Sequence, residues 1–551
     1  MNFINSWRAL VTACVTSTLF FCLAYRHSSA VILQDPLENA FQNFWNAQST
    51  QDIFSATKSI LAESPQVERV RERLRVGRSY VSDVPTGRQV LSRQNQDGTE
   101  HFYVLNVPVD YDPALSYPVR FYLHGGVMRA KQVAGEWWRS EDRWVKKDSI
   151  VVSPASWNGS VWWQRSQIEN LSGLLTDLKR IYNVDENRVY LLGVSDGATG
   201  AYYHAFKANT AWAGYLLFIG HPAVLGNPRS AVDGEMHVVN LRGKPFFVVN
   251  GARDRLYPAS IVEPYMQLFK EAGINVDFIP KPDAGHDLSW LDEEDRNIET
   301  FISSVRRTPF PDRLSLETES AREFNRTHWL IINELGAVTG ESAFDEYDQV
   351  TVPGPRTPLG INTVGEVENG LGLKVLEVGR PSLAAEAGLD VNDIIVDIGG
   401  IPTPTADAAR EAILGASPGD SLPVTVDRRG VTKILTLKFP SQQRGFSRPA
   451  FARNQVSGRV DLEREGNSVT LLTRGVRRLS LLLSREQFDF SKPVTVTVNN
   501  QVAFDEFVTP SVTTLLRWAT VDWDRSMLVD VELEIDVAAV SGVESEVRDQ
   551  R

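Results

Sequence analysis

Cysteine is almost missing from this 551-residue chain: there are two, Cys14 and Cys22, and both lie inside one apolar N-terminal run. If that run is removed, the mature chain has no thiol. Disulfides, thiolate catalysis and cysteine-ligated metals are then excluded. An excess of positive charge is also lacking. Lys and Arg number 57 against 69 Asp and Glu, for a formal net charge of -12. That balance disfavours nucleic acid and anionic membrane surfaces as main partners. There is no internal repeat and no long low-complexity stretch. With 42% hydrophobic and 23% charged residues the chain is ordinary globular protein. Its length predicts about two to four domains rather than one core.

What is present begins with an export pattern. Arg8 precedes the apolar run Ala9–Tyr25, and Ser28-Ser29-Ala30 supplies small residues for signal peptidase cleavage. Residues 1–30 therefore read as a signal peptide, or as an uncleaved anchor through residues 9–25. The expected location is exported, periplasmic or secreted. The run continues well past Cys14, which argues against lipid attachment there.

Residues 36–76 carry helical spacing, with Leu37, Phe41, Phe44 and Trp45 and then Ile53, Ile60 and Leu61. A helical hairpin packed on the next domain, or a lid over an active site, would look like this. From 80 to 306 short apolar runs alternate with amphipathic stretches. The runs are Phe102–Val107, Val119–Leu123, Ile150–Val152, Val189–Leu192, Tyr215–Ile219, Phe246–Val249 and Val276–Ile279. Between them, Ile168, Leu171, Leu174, Leu175, Leu178 and Ile181 form one stripe of a helix. Such alternation predicts an α/β domain with a doubly wound parallel sheet covered on both faces.

One turn in that domain carries chemistry. Gly193-Val194-Ser195-Asp196-Gly197 follows a strand and opens a small-residue helix. A serine on a sharp strand-to-helix turn needs small residues two positions either side, because larger ones would strike the adjoining backbone. The turn lifts the hydroxyl above the sheet at a helix N-terminus. A serine hydroxyl needs a base to take its proton. His286, after the strand Val276–Ile279, is the candidate base, and Asp254, after Phe246–Val249, is the candidate acid. Asp254 could also be a helix N-cap, with Asp283 and Asp287 as fallback acids. The order Ser, Asp, His belongs to one fold and not to other serine-protease arrangements. Oxyanion donors are expected from the N–H of Gly126 or Val127, in His124-Gly125-Gly126-Val127, and from the N–H of Asp196. His124 reads as structural.

Seven of the 13 tryptophans fall between 137 and 212. Trp157, Trp162 and Trp163 lie on the loop after Ile150–Val152, at the ligand-binding end of the sheet. They are either core or an aromatic wall for an apolar acyl group.

Residues 80–306 resemble the bacterial esterase and prolyl-oligopeptidase-like branch of the α/β-hydrolases. The matching pieces are Tyr122-Leu123-His124-Gly125-Gly126, Arg188 through Gly197, Gly251-Ala252-Arg253-Asp254 and Gly285-His286-Asp287. The resemblance implies a Ser195–His286–Asp254 triad. Ala198 departs from the pattern, where relatives often have another glycine, and could narrow the entrance. No β-propeller accompanies the domain, so the peptide-size filter of prolyl oligopeptidases does not transfer.

Residues 357–439 resemble a bacterial PDZ domain of the type attached to periplasmic proteases. Pro358-Leu359-Gly360-Ile361, Gly372-Leu373-Lys374-Val375, Ala387-Gly388-Leu389, Asn392-Asp393-Ile394-Ile395 and Ile398-Gly399-Gly400 carry the likeness. It implies that a peptide adds as a strand near Ile361, its terminal carboxylate held by the N–H groups of Leu359, Gly360 and Ile361. The groove could instead be filled by the protein itself. Residues 309–350 and 446–540 are strand-rich. They read as two parts of one C-terminal all-β domain, with the PDZ domain inserted in it or adjacent to it.

The expected function is an exported serine hydrolase, a carboxylesterase or serine peptidase. It would cleave a small-molecule ester or a peptide without a metal or other cofactor. The alternative is a non-catalytic peptide-binding protein on a hydrolase-like scaffold.

Overall fold

The computed structural model describes residues 35–131, 141–338, 346–352, 359–366, 372–414, 416, 419–440 and 446–537. The expected signal segment, Trp137 and Trp138 lie outside them. The chain divides into a unit ending at Glu63 and a unit beginning at Ser64. In the first, α1 (Pro36–Asn46) starts where the Asp35 side chain accepts the N–H of Leu37, and it buries Leu37, Phe41, Phe44 and Trp45. A Ser49–Asp52 capping box starts α2 (Thr50–Ala62).

The second unit opens with α3 (Val67–Val76). This helix packs on the C-terminal β domain, against the helix Val512–Asp522 among other elements. Its buried Arg71 pairs with Asp530 at 2.7 Å, and both Arg71 and Arg75 reach Glu486.

Eight strands then form one sheet: β1 (Gly87–Gln94), β2 (Glu100–Val107), β3 (Tyr117–Leu123), β4 (Ile150–Pro154), β5 (Val184–Val194), β6 (Gly214–Phe218), β7 (Pro245–Gly251) and β8 (Asn275–Lys281). Their order is β1-β2-β4-β3-β5-β6-β7-β8. Pairing is parallel from β4 through β8, while β2 runs antiparallel to both β1 and β4. The sheet is therefore mostly rather than wholly parallel. Every expected strand is present. Strand β1 was not anticipated, because its sequence Gly-Arg-Gln-Val-Leu-Ser-Arg-Gln is polar and it sits half-exposed at the sheet edge.

Side chains alternate between two cores, as a strand's two-residue period requires. Val119, Phe121 and Leu123 enter one core with Val189, Leu191, Tyr215, Leu217, Phe246 and Val248. Tyr122, Tyr190, Leu192, Leu216, Phe218, Phe247 and Val249 enter the other. Helices α4 (Arg165–Ile181), α5 (Asp196–Lys207), α6 (Ala259–Glu271) and α7 (Leu291–Ser304) alternate with the strands. Arg120, pointing to the α7 side, is held by Glu299 through two hydrogen bonds of 2.7 and 2.8 Å.

The C-terminal region contains β9 (Arg313–Thr318), β10 (Arg326–Thr327), β11 (Leu330–Leu335) and β12 (Gln349–Val352), followed by a separate sheet. That sheet comprises β13 (Ile361–Glu366), β14 (Leu373–Val378), β15 (Ile394–Ile398), β16 (Ile401–Pro402), β17 (Ser421–Arg428) and β18 (Val431–Lys438), with helices α8 (Leu383–Ala387) and α9 (Ala406–Leu414). The chain returns through β19 (Phe446–Pro449), β20 (Gly458–Glu465), β21 (Ser468–Arg474), β22 (Val476–Leu483), β23 (Val494–Val498), β24 (Gln501–Glu506), α10 (Val512–Asp522) and β25 (Val531–Asp536).

Strand β9 pairs with β20, and β11 with β22. Residues before and after the separate sheet thus build shared sheets around one core containing Leu314, Leu316, Leu330, Ile332, Val460, Leu481 and Val496. Strands β12 and β19 pair as the stem through which the separate module enters and leaves. The C-terminal domain also carries the helix α10, so it is β-rich rather than all-β.

Candidate active site

Ser195 is the single residue between β5 and α5, and its backbone is forced into φ 54, ψ -119. A non-glycine residue there is uncommon, and strain of this kind is found where the surroundings over-determine the turn. The surroundings do so here. A Cβ on Gly193 would lie 2.2 Å from the Gly197 carbonyl oxygen, and one on Gly197 would lie 2.0 Å from that of Leu123. Only glycine fits at either position. The Ser195 N–H donates to the Phe218 carbonyl at 2.9 Å, which ties the turn to β6.

The hydroxyl meets its expected partner. Ser195 Oγ lies 2.9 Å from His286 Nε2, and His286 Nδ1 lies 2.8 Å from Asp254 Oδ2. A proton on Nδ1 donates to the carboxylate, which leaves Nε2 to accept from the serine hydroxyl. Asp254 is not the helix N-cap considered for it, because Pro258 holds that position before α6, but it does fix the turn leading there. Its Oδ1 accepts the N–H of Leu256 at 2.7 Å and of Tyr257 at 2.9 Å. One oxygen thus fixes the turn and the other orients the imidazole. Burial pushes the pKa of Asp254 up, but the hydrogen bonds from His286, Tyr257 and Leu256 outweigh it, and the pKa falls below the ordinary carboxylate value. The fallback acids are occupied elsewhere: Asp283 pairs with Arg253 at 2.8 Å on the surface, and Asp287 accepts the Ser289 N–H at 2.9 Å.

Beside the serine runs the glycine loop. A Cβ on Gly125 would come within 3.0 Å of Ser195 Cβ. His124 Nε2 accepts the N–H of Ser156 at 3.1 Å, so Nδ1 carries the proton and donates to the Gly125 carbonyl at 2.9 Å. Burial pushes this imidazole down to about 4, which keeps it neutral. The Gly125 carbonyl is therefore turned toward His124. In a trans peptide the next N–H, that of Gly126, points the opposite way.

Of the two alternatives expected at this loop, the Val127 N–H is spoken for, because it donates to Asp196 Oδ2 at 3.0 Å. The N–H groups of Gly126 and Asp196 make no hydrogen bond among the described residues. The latter stands in the first turn of α5, where N–H groups lack intrahelical partners.

The aromatic wall is corrected. Trp162 and Trp163 are buried in the sheet's larger core and donate to the carbonyls of His124 and Ser230. Trp162 fills the space that a side chain at Gly200 would need. Trp157, 7% exposed, packs on His101 and under Lys131. All three are structural. Ala198 does not narrow an entrance either: it is fully buried, and its methyl faces Gly220, which has no room for a Cβ. The residue unassigned from sequence is Tyr257. Its ring meets His286 edge to face, and its N–H holds Asp254. Its position three residues after the candidate acid was the available signal.

In the separate module, Gly360 has φ 71 and packs so tightly on Ser382 that a Cβ would lie 2.1 Å from the serine's. The carbonyls of Leu359 and Gly360 are taken by the N–H groups of Ala384 and Gly379. Ile361 starts β13, which pairs with β14 on one side and is the last strand of its sheet among the described residues.

Strand order, elbow and the hydroxyl–imidazole–carboxylate chain define an α/β-hydrolase fold with a second module in its C-terminal region. That module is a PDZ domain: the PDZ domain family matches residues 374–428. No curated protein matches the chain. Among solved structures it is similar to a thermostable esterase, with 20% identity, 40% of this chain and 63% of that one covered, and a TM-score of 0.33. It is also similar to the acylaminoacyl peptidase of Pyrococcus horikoshii, with 13% identity, 41% and 43% covered, and a TM-score of 0.33. Esterase 2 of Thermogutta terrifontis, phosphorylated by paraoxon, gives 12% identity, 39% and 94% covered, and a TM-score of 0.32. The chain spans less than two-thirds of the length of the first two.

Proposed function

We propose that the chain is a serine hydrolase that cleaves carboxylic esters or peptide bonds through an acyl-enzyme on Ser195. The observation that carries this is the continuous hydrogen-bonded chain from Ser195 through His286 to Asp254, on a turn that tolerates only glycine at 193 and 197. Ser195 Oγ attacks the scissile carbonyl carbon while its proton passes to His286 Nε2. The N–H groups of Gly126 and Asp196 stabilise the oxyanion that forms. Collapse expels the alcohol or amine, which takes the proton back from Nε2. Water then repeats the sequence on the acyl-enzyme and regenerates the serine. Asp254 stays ionised throughout and holds Nδ1–H, consistent with its lowered pKa.

The PDZ domain would hold a peptide or protein C-terminus along β13, near Gly360. Export follows from the apolar run at 9–25, the small residues at 28–30 and the confinement of both cysteines to that run. Among the described residues no helix is long and apolar enough to cross a membrane.

The deciding experiment is labelling of the purified protein with a fluorophosphonate, together with turnover of p-nitrophenyl esters. Wild type labels and turns over, and Ser195→Ala does neither. An unlabelled wild type would favour the binding-protein alternative. Turnover that survived in Ser195→Ala would place the chemistry elsewhere.

A further inference from the structure

We propose that Arg129 makes this site selective for substrates bearing a carboxylate close to the scissile carbonyl. The inference rests on the hydrolase reading above and names its substrate class.

The glycine loop does not stop at the oxyanion donor. Gly126 has φ 71, and a Cβ placed on it would lie 3.5 Å from each of Cζ, Nε and Nη2 of Arg129. The guanidinium is therefore laid against the residue whose N–H faces the reaction, and one residue further back Gly125 abuts Ser195. The backbone beneath it is anchored, since the Arg129 carbonyl accepts the Asn158 N–H at 2.8 Å. The side chain is exposed, and among the described residues it has neither an ion pair nor a hydrogen bond. Two other cations of this region are engaged among the described residues. Arg253 pairs with Asp283, and Lys131 lies over Trp157 and bonds the Glu100 carbonyl.

On the nucleophile side, the Asp196 carboxylate accepts the Val127 N–H through Oδ2. The tryptophans that might have offered an apolar acyl wall are buried. What remains against the glycine loop is a planar fork of donors with no partner among the described residues, on a protein of net charge -12. A guanidinium matches a carboxylate in two parallel hydrogen bonds, and an isolated cation at a mouth concentrates anionic substrate.

The test compares matched pairs on the full chain. The first pair places the charge on the acyl side: mono-p-nitrophenyl succinate against its neutral methyl ester. The second places it on the leaving side: 4-acetoxybenzoate against its methyl ester. Wild type should favour the acid of at least one pair by about tenfold in kcat/KM, mostly through KM, since the contact is made before and during reaction. Arg129→Met should abolish that preference and Arg129→Lys should keep part of it. Added salt should shrink it, as expected for an exposed charge. No preference in wild type, or an undiminished one in Arg129→Met, overturns the proposal. If the neutral esters are also untouched and Ser195 does not label, the hydrolase reading itself has failed and this proposal falls with it.

Discussion

The Tyr257 ring meets the His286 imidazole edge to face, with centroids 5.8 Å apart and planes at 68°. The same ring meets His221 at 5.9 Å, and His221 meets Tyr265 at 5.1 Å. Tyr257 therefore touches the proposed base with its ring and the proposed acid with its backbone. An edge-to-face pair contributes about 0.5–1.5 kcal/mol beyond its burial, enough to bias an imidazole that has a quarter of its side chain exposed. The phenol oxygen makes no hydrogen bond among the described residues.

Tyr257→Phe should accordingly stay within about twofold of wild-type kcat, whereas Tyr257→Ala should lower kcat by roughly tenfold with little change in KM. Steady-state kinetics on one activated ester checks both. A large loss in the phenylalanine variant would mean that the hydroxyl, not the ring, matters.

Asp254 serves the turn with one oxygen and the base with the other, so its substitutions separate. Asp254→Asn keeps an acceptor for the turn but favours the wrong imidazole tautomer. It should remain folded and lose about 10⁴-fold in kcat. Asp254→Ala also strands the N–H groups of Leu256 and Tyr257, and should lose stability as well, by about 1–3 kcal/mol. Urea unfolding beside ester kinetics distinguishes the two losses.

The parts of the site legible in the sequence are those fixed by local backbone necessity. Glycines at 193 and 197 around Ser195 announce a turn that nothing bulkier can make, and chain order then points to Asp254 and His286. The tryptophans illustrate the opposite case. An aromatic residue on a loop at the sheet's functional end can face the ligand or the core. Which one it faces depends on distant partners such as Gly200, whose missing side chain admits Trp162. Backbone donors were legible only as a pair, because residue type does not say which N–H is already used. It took the Asp196 carboxylate to remove Val127. Tyr257 escaped because its ring contact is tertiary. Strand β1 escaped because an edge strand needs no apolar run.

Acid stability follows from the histidines. Burial holds His101, His124 and His221 at about 4 and His204 at about 3, each well below the usual 6.5. Lys131 adds to the effect at His101, and Arg448 at His221. The unfolded chain binds these protons near pH 6.5 and the folded chain only near 4, so stability is full above the upper value and is lost as pH falls between the two. Each group contributes a slope of up to about 1.4 kcal/mol per pH unit inside that window. Urea midpoints measured from pH 7.5 to 4.5 should fall steeply below about 6.5. His204→Phe, which removes the most depressed of these four imidazoles, should flatten the slope.

The stem of the PDZ insertion is built into the hydrolase core, which makes a claim about cooperativity. Val350, Ala450 and Phe451 are buried with the sheet's larger core. Phe451 stacks edge-on against Phe206 of α5 at 5.2 Å and against Tyr265 of α6 at 5.9 Å, while the Tyr265 hydroxyl donates to the Ala450 carbonyl at 3.2 Å. Helix α5 begins at the elbow, and α6 follows the turn that holds Asp254. A cavity opened at the stem should therefore be felt by the hydrolase and not by the inserted module alone. Phe451→Ala should cost about 3–5 kcal/mol. In thermal scans, fluorophosphonate labelling should be lost at the same lowered temperature as near-ultraviolet circular dichroism. If labelling persisted beyond the first unfolding step, the stem would be an independent attachment and the hydrolase core would be complete without it.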